Sequence, residues 1–136
     1  MKIQASCAES AITTGSVQGG VRAVLRLEGL TVLAVAVTAF AALHANWWWF
    51  AALFLTPDIA FLGYLVNPRV GAMAYNTLHS YIAPLTLGVA AHFGKAPFLI
   101  PYVLIWVAHL GFDRALGYGL KYSSAFGDTH LGSKRL

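Results

Sequence analysis

The chain has 136 residues, of which 58% are hydrophobic and only 10% are charged. An average soluble domain carries about 25% charged residues, so a soluble fold of this size could not bury so much apolar surface. The formal charge is +4, but the basic residues are scattered between apolar runs and form no aromatic-rich basic cluster of the kind that nucleic-acid binding requires. The composition therefore indicates an integral membrane protein and argues against a nucleic-acid partner.

Residues 1–20 differ from the rest of the chain, because they are rich in Ser, Thr, Gly and Ala. They lack the apolar region of about 7–15 residues that a signal peptide contains. We predict a disordered cytoplasmic tail over residues 1–20. A four-span transmembrane domain follows over residues 21–136 and ends in a short cytoplasmic C-terminal tail.

Four apolar stretches predict the spans, since a helix needs about 20 apolar residues to cross a bilayer. They cover residues 24–43, 47–66, 70–91 and 97–117, with about two residues of tolerance at each end. The fold class is therefore an all-α, membrane-embedded four-helix bundle. In the first span Ala34, Thr38 and Ala42 recur every four residues, a pattern that favours close contact with another helix.

The basic residues predict the orientation. With four spans both termini lie on one side of the membrane, and that side holds eight of the nine Lys and Arg residues, leaving Lys95 on the other. Cytoplasmic loops carry such an excess of positive charge, so both termini should be cytoplasmic. The protein is expected in the inner (cytoplasmic) membrane as a multi-pass protein, with the lipid bilayer as its partner.

Ionisable residues inside the spans form a layer near the cytoplasmic side. Counted from the cytoplasmic ends of their spans, Asp58, His79 and His109 each lie ~12–14 Å deep at a rise of ~1.5 Å per residue. Asp113 lies ~6 Å deep by the same count, and it follows His109 by four residues, about 40° away on one helix face. Such groups are costly in a membrane and are usually paired, or line a cavity.

The first interpretation of this layer is a metal site with Asp58, His79, His109 and Asp113 as ligands. Two imidazoles and two carboxylates suit Zn²⁺ or another divalent first-row ion. A polar ligand could occupy the same layer. The sequence has no H-E-x-x-H or comparable signature, so we assign neither a reaction nor a catalytic residue. Five further residues are candidates for an outer shell or for ligand binding: Glu28, Asn76, Arg114, Tyr118 and His130.

Two other interpretations use the same residues. The layer could fasten the helices through hydrogen bonds, worth about 0.6 kcal/mol each inside membranes, in a structural or accessory protein. It could also belong to a proton relay or a small-solute transporter. Histidines beside carboxylates inside a membrane can transfer protons or bind a polar solute. Four helices are few for a transporter, so this interpretation requires a homodimer.

The C-terminal residues allow two arrangements. Lys121 and Tyr122 are expected near the lipid headgroups, where basic and aromatic anchors concentrate. Asp128-Thr129-His130 either folds back as a cap over the inner mouth of the bundle or belongs to a flexible tail.

From Leu25 onward the chain resembles a family of small bacterial integral membrane proteins known as domain of unknown function 4260. The resemblance rests on short motifs and a longer final block: Leu25-Arg26-Leu27-Glu28-Gly29, Pro57-Asp58, Gly63-Tyr64, Pro68-Arg69-Val70-Gly71, Tyr75-Asn76 with His79 and Tyr81, His109 to Tyr122, and Phe126 to Gly132. It implies a four-span membrane protein and supplies no activity, substrate or catalytic residue.

Overall fold

The computed structural model describes residues 15–133, and most of these are helical. The helices are α1 (Gly19–Ala42), α2 (Trp47–Leu53), α3 (Pro68–His79), α4 (Ile82–Phe93) and α5 (Ile100–Leu116), with 3₁₀ helices at Thr56–Leu65 and Pro97–Leu99. A short antiparallel hairpin pairs β1 (Asp128–Thr129) with β2 (Gly132–Ser133). Of the predicted N-terminal tail, residues 1–14 lie outside the described residues, and α1 begins at Gly19.

Three helical segments are long and apolar enough to cross a membrane: Gly19–Ala42, Trp47–Leu65 and Pro97–Leu116. Most residues in these segments are not buried within the chain. The buried share of the most apolar window is 17%, 11% and 44%, respectively. Large apolar side chains such as Trp48, Leu65 and Phe93 are instead exposed on the outside. An exposed apolar surface of this extent is consistent with location in a membrane.

The second predicted span is present but is not one α-helix. Helix α2 ends at Leu53, and the chain continues as the 3₁₀ helix from Thr56. Pro57 explains the change, because proline has no N–H to donate to the carbonyl of Leu53 and its ring clashes with that carbonyl. Asp58 consequently lies in the first turn of the 3₁₀ helix.

The third predicted span, residues 70–91, is wrong as a single helix. The structure has two helices of 12 residues each, α3 and α4, separated at Ser80, whose backbone is extended. Pro84 lacks the N–H that would bond to the Ser80 carbonyl in a continuous helix. The break also leaves the carbonyl of His79, the last residue of α3, without a partner in the helix. Arg114 Nη2 donates to this carbonyl at 2.9 Å.

Helices α1 and α5 cross with their backbones in contact at two glycines. A Cβ on Gly111 would lie 2.7 Å from the Leu33 nitrogen and 2.8 Å from the Gly29 oxygen, and a Cβ on Gly29 would clash with the Cβ of Arg114. The predicted contact through Ala34, Thr38 and Ala42 is wrong for this helix pair, because those residues are exposed. The crossing fixes the position of α5, which carries His109 and Asp113.

The C-terminal segment, defined here as residues 118–133, folds back onto the helices. Gly117 ends α5 in the left-handed conformation, with φ of 89°, and so reverses the chain. The side-chain amide of Asn76 then holds the backbone of Lys121 twice, accepting from its N–H at 2.7 Å and donating to its carbonyl at 2.8 Å. The His130 carbonyl accepts from Val17 N–H at 2.8 Å.

We expect Asn76→Ala to release the C-terminal segment from the helices. The variant loses both hydrogen bonds to Lys121, at a cost of about 1–3 kcal/mol for buried groups left without partners. Limited proteolysis in detergent should cleave within residues 118–133 at least about tenfold faster than in the parent. Thr77→Ala is the matched control, because its hydroxyl bonds only within α3, to the Met73 carbonyl. Equal cleavage rates in parent and Asn76→Ala would contradict this docking.

Candidate metal centre

The four predicted ligands converge at one place. Asp58 extends from the 3₁₀ helix, His79 is the last residue of α3, and His109 and Asp113 lie one turn apart on α5. Each offers one ligand atom, and these four atoms all lie within 4.8 Å of one another. We call these four residues the His/Asp cluster. It is a group that could hold a metal ion.

Five of the six distances within the cluster are close to the edge lengths of a tetrahedral metal site, and the sixth, between the two carboxylates, is within 4.8 Å. His79 Nε2 lies 3.2 Å from His109 Nε2, 3.3 Å from Asp58 Oδ1 and 3.5 Å from Asp113 Oδ2. His109 Nε2 lies 3.5 Å from the same Asp58 oxygen and 3.7 Å from the same Asp113 oxygen. Zn²⁺ binds nitrogen and oxygen at about 2.0–2.2 Å, which makes the edge of a regular tetrahedron about 3.3–3.6 Å.

His79 is oriented with one lone pair toward the other three ligands. Its Nδ1 lies 3.1 Å from the Tyr75 carbonyl, where only a donated N–H is favourable. The neutral imidazole therefore carries its proton on Nδ1 and leaves Nε2 unprotonated. The ring also stacks on the Tyr75 ring, with centroids 3.7 Å apart. A backbone carbonyl that fixes the tautomer in this way is the usual support of a metal-binding histidine.

Tyr75 also supports Asp113. Its hydroxyl donates to Asp113 Oδ2 at 3.2 Å, and its side chain is almost completely buried. Our sequence analysis did not include Tyr75 in the site. The signal that could have identified it is its position one helical turn before His79, which places both side chains on one face.

His109 and Asp58 differ from the other two ligands in their surroundings. His109 is 1% exposed, and its Nδ1 has no hydrogen-bond partner within the described residues; the ring is held by edge-on packing against Phe54. The side chain of Asp58 is 32% exposed, against 13% for Asp113. Asp58 therefore lies at the accessible side of the His/Asp cluster.

The His/Asp cluster has more acceptors than donors. With Nε2 of His79 unprotonated and both carboxylates ionised, only His109 Nε2–H could donate among the four facing atoms. His109 Nε2 lies 3.2 Å from His79 Nε2 and 3.5 Å from Asp58 Oδ1, so its one proton cannot satisfy both, whereas Asp113 Oδ2 also accepts from the Tyr75 hydroxyl. A buried acceptor left without a donor is costly. A divalent cation would satisfy all four atoms at once.

The nearby basic side chains do not pair with the carboxylates. Within residues 15–133 the ion pairs shorter than 4 Å are the four between the histidines and aspartates. Arg114 is 8% exposed, and it donates to the carbonyls of Tyr118 and His79. It is thus linked to the His/Asp cluster through the backbone of a ligand residue.

The sequence predicts Lys121 near the lipid headgroups. In the structure only 7% of this residue is exposed, because it is buried against the protein. Its ammonium lies 3.8 Å from the centroid of Phe126 and 5.0 Å from that of Tyr75, and it donates to the Phe126 carbonyl at 2.7 Å. Burial lowers the pKa of Lys121, and the Asp113 carboxylate opposes that shift. The sequence could not identify this contact, because it depends on the chain reversal after Gly117.

The remaining predicted site residues lie outside the His/Asp cluster. Glu28 is on α1, Asn76 is on α3, and Tyr118 and His130 are in the C-terminal segment. Glu28 is exposed and lines a groove of about 570 Å³ together with Tyr81, Arg114 and His130. Asn76 holds the backbone of Lys121, as described above. The Tyr118 carbonyl accepts from Arg114, and His130 Nδ1 accepts from Leu120 N–H at 2.9 Å.

We expect acid to loosen the C-terminal segment through His130. Burial, and then the Arg114 charge, lower the pKa of His130 from its ordinary value of 6.5. Protonation would also remove the acceptor for Leu120 N–H. A histidine with a lowered folded-state pKa stabilises docking fully above 6.5 and loses that contribution as pH falls below it.

Hydrogen exchange at the Leu120 amide, corrected for intrinsic rates, measures this effect. The protection factor should fall several-fold between pH 7.5 and 5. In His130→Gln, which can still accept from this amide but does not titrate, it should stay constant. The same pH dependence in both proteins would assign the change to another group.

The fold and the cluster thus define a class: a mostly helical, strongly apolar protein with three helices of membrane-spanning length and a His/Asp group that could hold a metal. The chain belongs to the family described as domain of unknown function DUF4260, whose model matches residues 22–133. That match covers all four residues of the His/Asp cluster. No curated protein and no solved structure matches the chain.

Proposed function

We propose that this protein is a multi-pass membrane protein that binds a divalent transition metal, Zn²⁺ or a similar ion, in its His/Asp cluster. Asp58, His79, His109 and Asp113 are the ligands. The supporting observation is that four ligand atoms from three separate helices lie within 4.8 Å of one another, with five of the six distances between 3.2 and 3.7 Å. A bound ion of this kind would supply a Lewis acid.

The proposed topology places both termini in the cytoplasm of a bacterial inner membrane. The segments 19–42, 47–65, 68–93 and 97–116 then cross in alternating directions, with the third formed by α3 and α4 together. The excess of basic residues on one side supports this orientation. The break between α3 and α4 is compatible with it, because irregular backbone at membrane depth requires protein partners, and Arg114 binds the His79 carbonyl there.

Metal analysis of the purified protein tests the proposal. We expect close to one equivalent of Zn²⁺ or another first-row ion after equilibration and gel filtration in detergent. His79→Ala and His109→Ala should each retain less than about 0.1 equivalent, since losing one of four ligands leaves an incomplete site. His92→Ala is the matched control, because His92 is an exposed histidine at the end of α4. Metal content that is low in the parent, or equal in all four proteins, would exclude the metal site.

The second candidate function is structural, and the same contacts support it. His79 and His109 lie within hydrogen-bond distance of each other and join α3 to α5, while Asp58 connects the 3₁₀ helix to His79. In that function the His/Asp cluster fastens helices and binds nothing. The two functions differ in their response to added zinc, which stabilises the folded protein only if the His/Asp cluster binds the ion.

A further inference from the structure

An apolar pocket of about 280 Å³ is lined by residues of the helical elements that carry the His/Asp cluster. Its lining includes Pro57 and Ile59, the two chain neighbours of Asp58, and Leu78, which precedes His79. The lining also includes Ile105 and Trp106, which lie one turn before His109 on α5. The pocket and the cluster thus share the same three helical elements.

One wall of the pocket is held by a hydrogen bond, and the pocket is open at Ile59 and Tyr102, which are 60% and 41% exposed. Trp106 Nε1 donates to the Leu78 carbonyl at 2.7 Å, which connects α5 to α3 and fixes the indole at the pocket. A volume of about 280 Å³ lies at the lower end of small-molecule sites, about 300–1,000 Å³. The pocket therefore suits part of one hydrocarbon chain and is too small for a two-chain lipid.

The proposed topology gives the pocket a direction relative to the bilayer. Thr56 precedes Asp58 on the second segment, and Tyr102 precedes His109 on the fourth; both line the pocket. Both segments run toward the cytoplasm in that topology, so the pocket lies on the bilayer-centre side of the His/Asp cluster. A single-chain amphiphile of the cytoplasmic leaflet has this orientation, with its polar end toward the cytoplasm and its chain toward the centre.

The charges near the cluster favour an anionic polar end. A divalent ion and the two carboxylates sum to zero, and the buried side chains of Arg114 and Lys121 then leave positive charge nearby. We propose that the protein binds a fatty carboxylate, with the chain in this pocket and the carboxylate reaching the metal at the exposed side near Asp58. This inference rests on the proposed metal site.

Cobalt-loaded protein in a non-ionic detergent tests the inference, since the visible spectrum of Co²⁺ reports a new ligand. Acetate and decanoate are the probes. We expect decanoate to change the spectrum at a concentration at least about tenfold below that of acetate, because burial of each methylene strengthens binding about fourfold in full transfer from water. Decanoate also concentrates in micelles, so the variants decide the result.

Leu53 also lines the pocket. Leu53→Trp fills the pocket and should reduce the difference between decanoate and acetate to within about twofold, with the cobalt content unchanged. Leu78→Phe is a second filling variant if the first fails to fold. Val89→Trp is the control, because Val89 is 58% exposed on α4 and does not line the pocket. Two outcomes overturn the fatty-carboxylate inference alone. In the first, the protein binds cobalt but responds equally to acetate and decanoate. In the second, both filling variants still respond to decanoate at a lower concentration than to acetate. Failure to bind cobalt overturns it together with the proposed function.

Discussion

Replacing Gly111 with alanine should destabilise the protein by about 2–3 kcal/mol, the upper part of the range for overpacked sites. The added methyl would lie 2.7 Å from the Leu33 nitrogen and 2.8 Å from the Gly29 oxygen. These are backbone atoms, which cannot move aside as a flexible side chain would. Helices α1 and α5 must therefore separate or shift.

The same substitution should weaken metal binding, because Gly111 lies between His109 and Asp113 on α5. A displacement of about 1 Å would place both ligands outside the geometry that the ion requires. We expect the metal dissociation constant to rise at least tenfold. Both effects are measurable in detergent, by denaturant titration followed by circular dichroism and by competition with a coloured chelator.

Gly20→Ala is the matched control, since a Cβ there has no neighbour within 4 Å. It makes the same chemical change within α1 and should be neutral or slightly stabilising, because alanine favours helix over glycine. If Gly111→Ala unfolds at the same denaturant concentration as the parent and keeps its metal affinity, close backbone contact at this glycine does not determine the crossing.

The sequence was sufficient to predict which ionisable residues meet. Counting residues from the cytoplasmic ends gives the height of each group in the bilayer, and Asp58, His79 and His109 were assigned the same height. The count does not give the direction of a side chain around its helix. By this count Asp113 lies shallower, and its four-residue spacing from His109 on one helix face is what predicts it as the fourth ligand.

Contacts that depend on irregular backbone could not be predicted from periodicity. The break at Ser80 makes His79 a helix terminus, whose free carbonyl binds Arg114. The reversal at Gly117 brings Lys121 back over Tyr75. Apolar periodicity locates spans because lipid exposure repeats along a helix, but it carries no information about where the chain turns after leaving it.

The glycine contact was missed for a related reason. The stripe of Ala34, Thr38 and Ala42 satisfies the spacing rule for close packing, yet these residues face outward. Gly29 has no small residue four positions away in its own helix, whereas Gly111 has Ala115 at that spacing. The close backbone contact at Gly29 and Gly111 depends on how α1 and α5 cross. The pattern of residues along a single helix does not reveal it.

Asp58→Asn should separate the metal-binding function from the structural one by its response to zinc. At a free Zn²⁺ concentration of about 1,000 times the dissociation constant, binding to the folded state alone stabilises the parent by about 4 kcal/mol. The variant loses one of four ligands and should gain less than about 1 kcal/mol. Without metal, we expect it to be no less stable than the parent, because it removes one of two carboxylates whose ligand atoms lie within 4.8 Å of each other.

If the His/Asp cluster only fastens helices, the outcome is reversed. In that case His79 is protonated on both ring nitrogens, and its Nε2–H donates a hydrogen bond to Asp58 Oδ1 at 3.3 Å. Asp58→Asn then weakens a charge-assisted contact and lowers stability without metal. Zinc would change neither protein. Chemical denaturation of both proteins, with chelator and with buffered Zn²⁺, gives four free energies of unfolding. The coupling between zinc and the substitution is large for a metal site and zero for a fastener, whatever the stability of either protein alone.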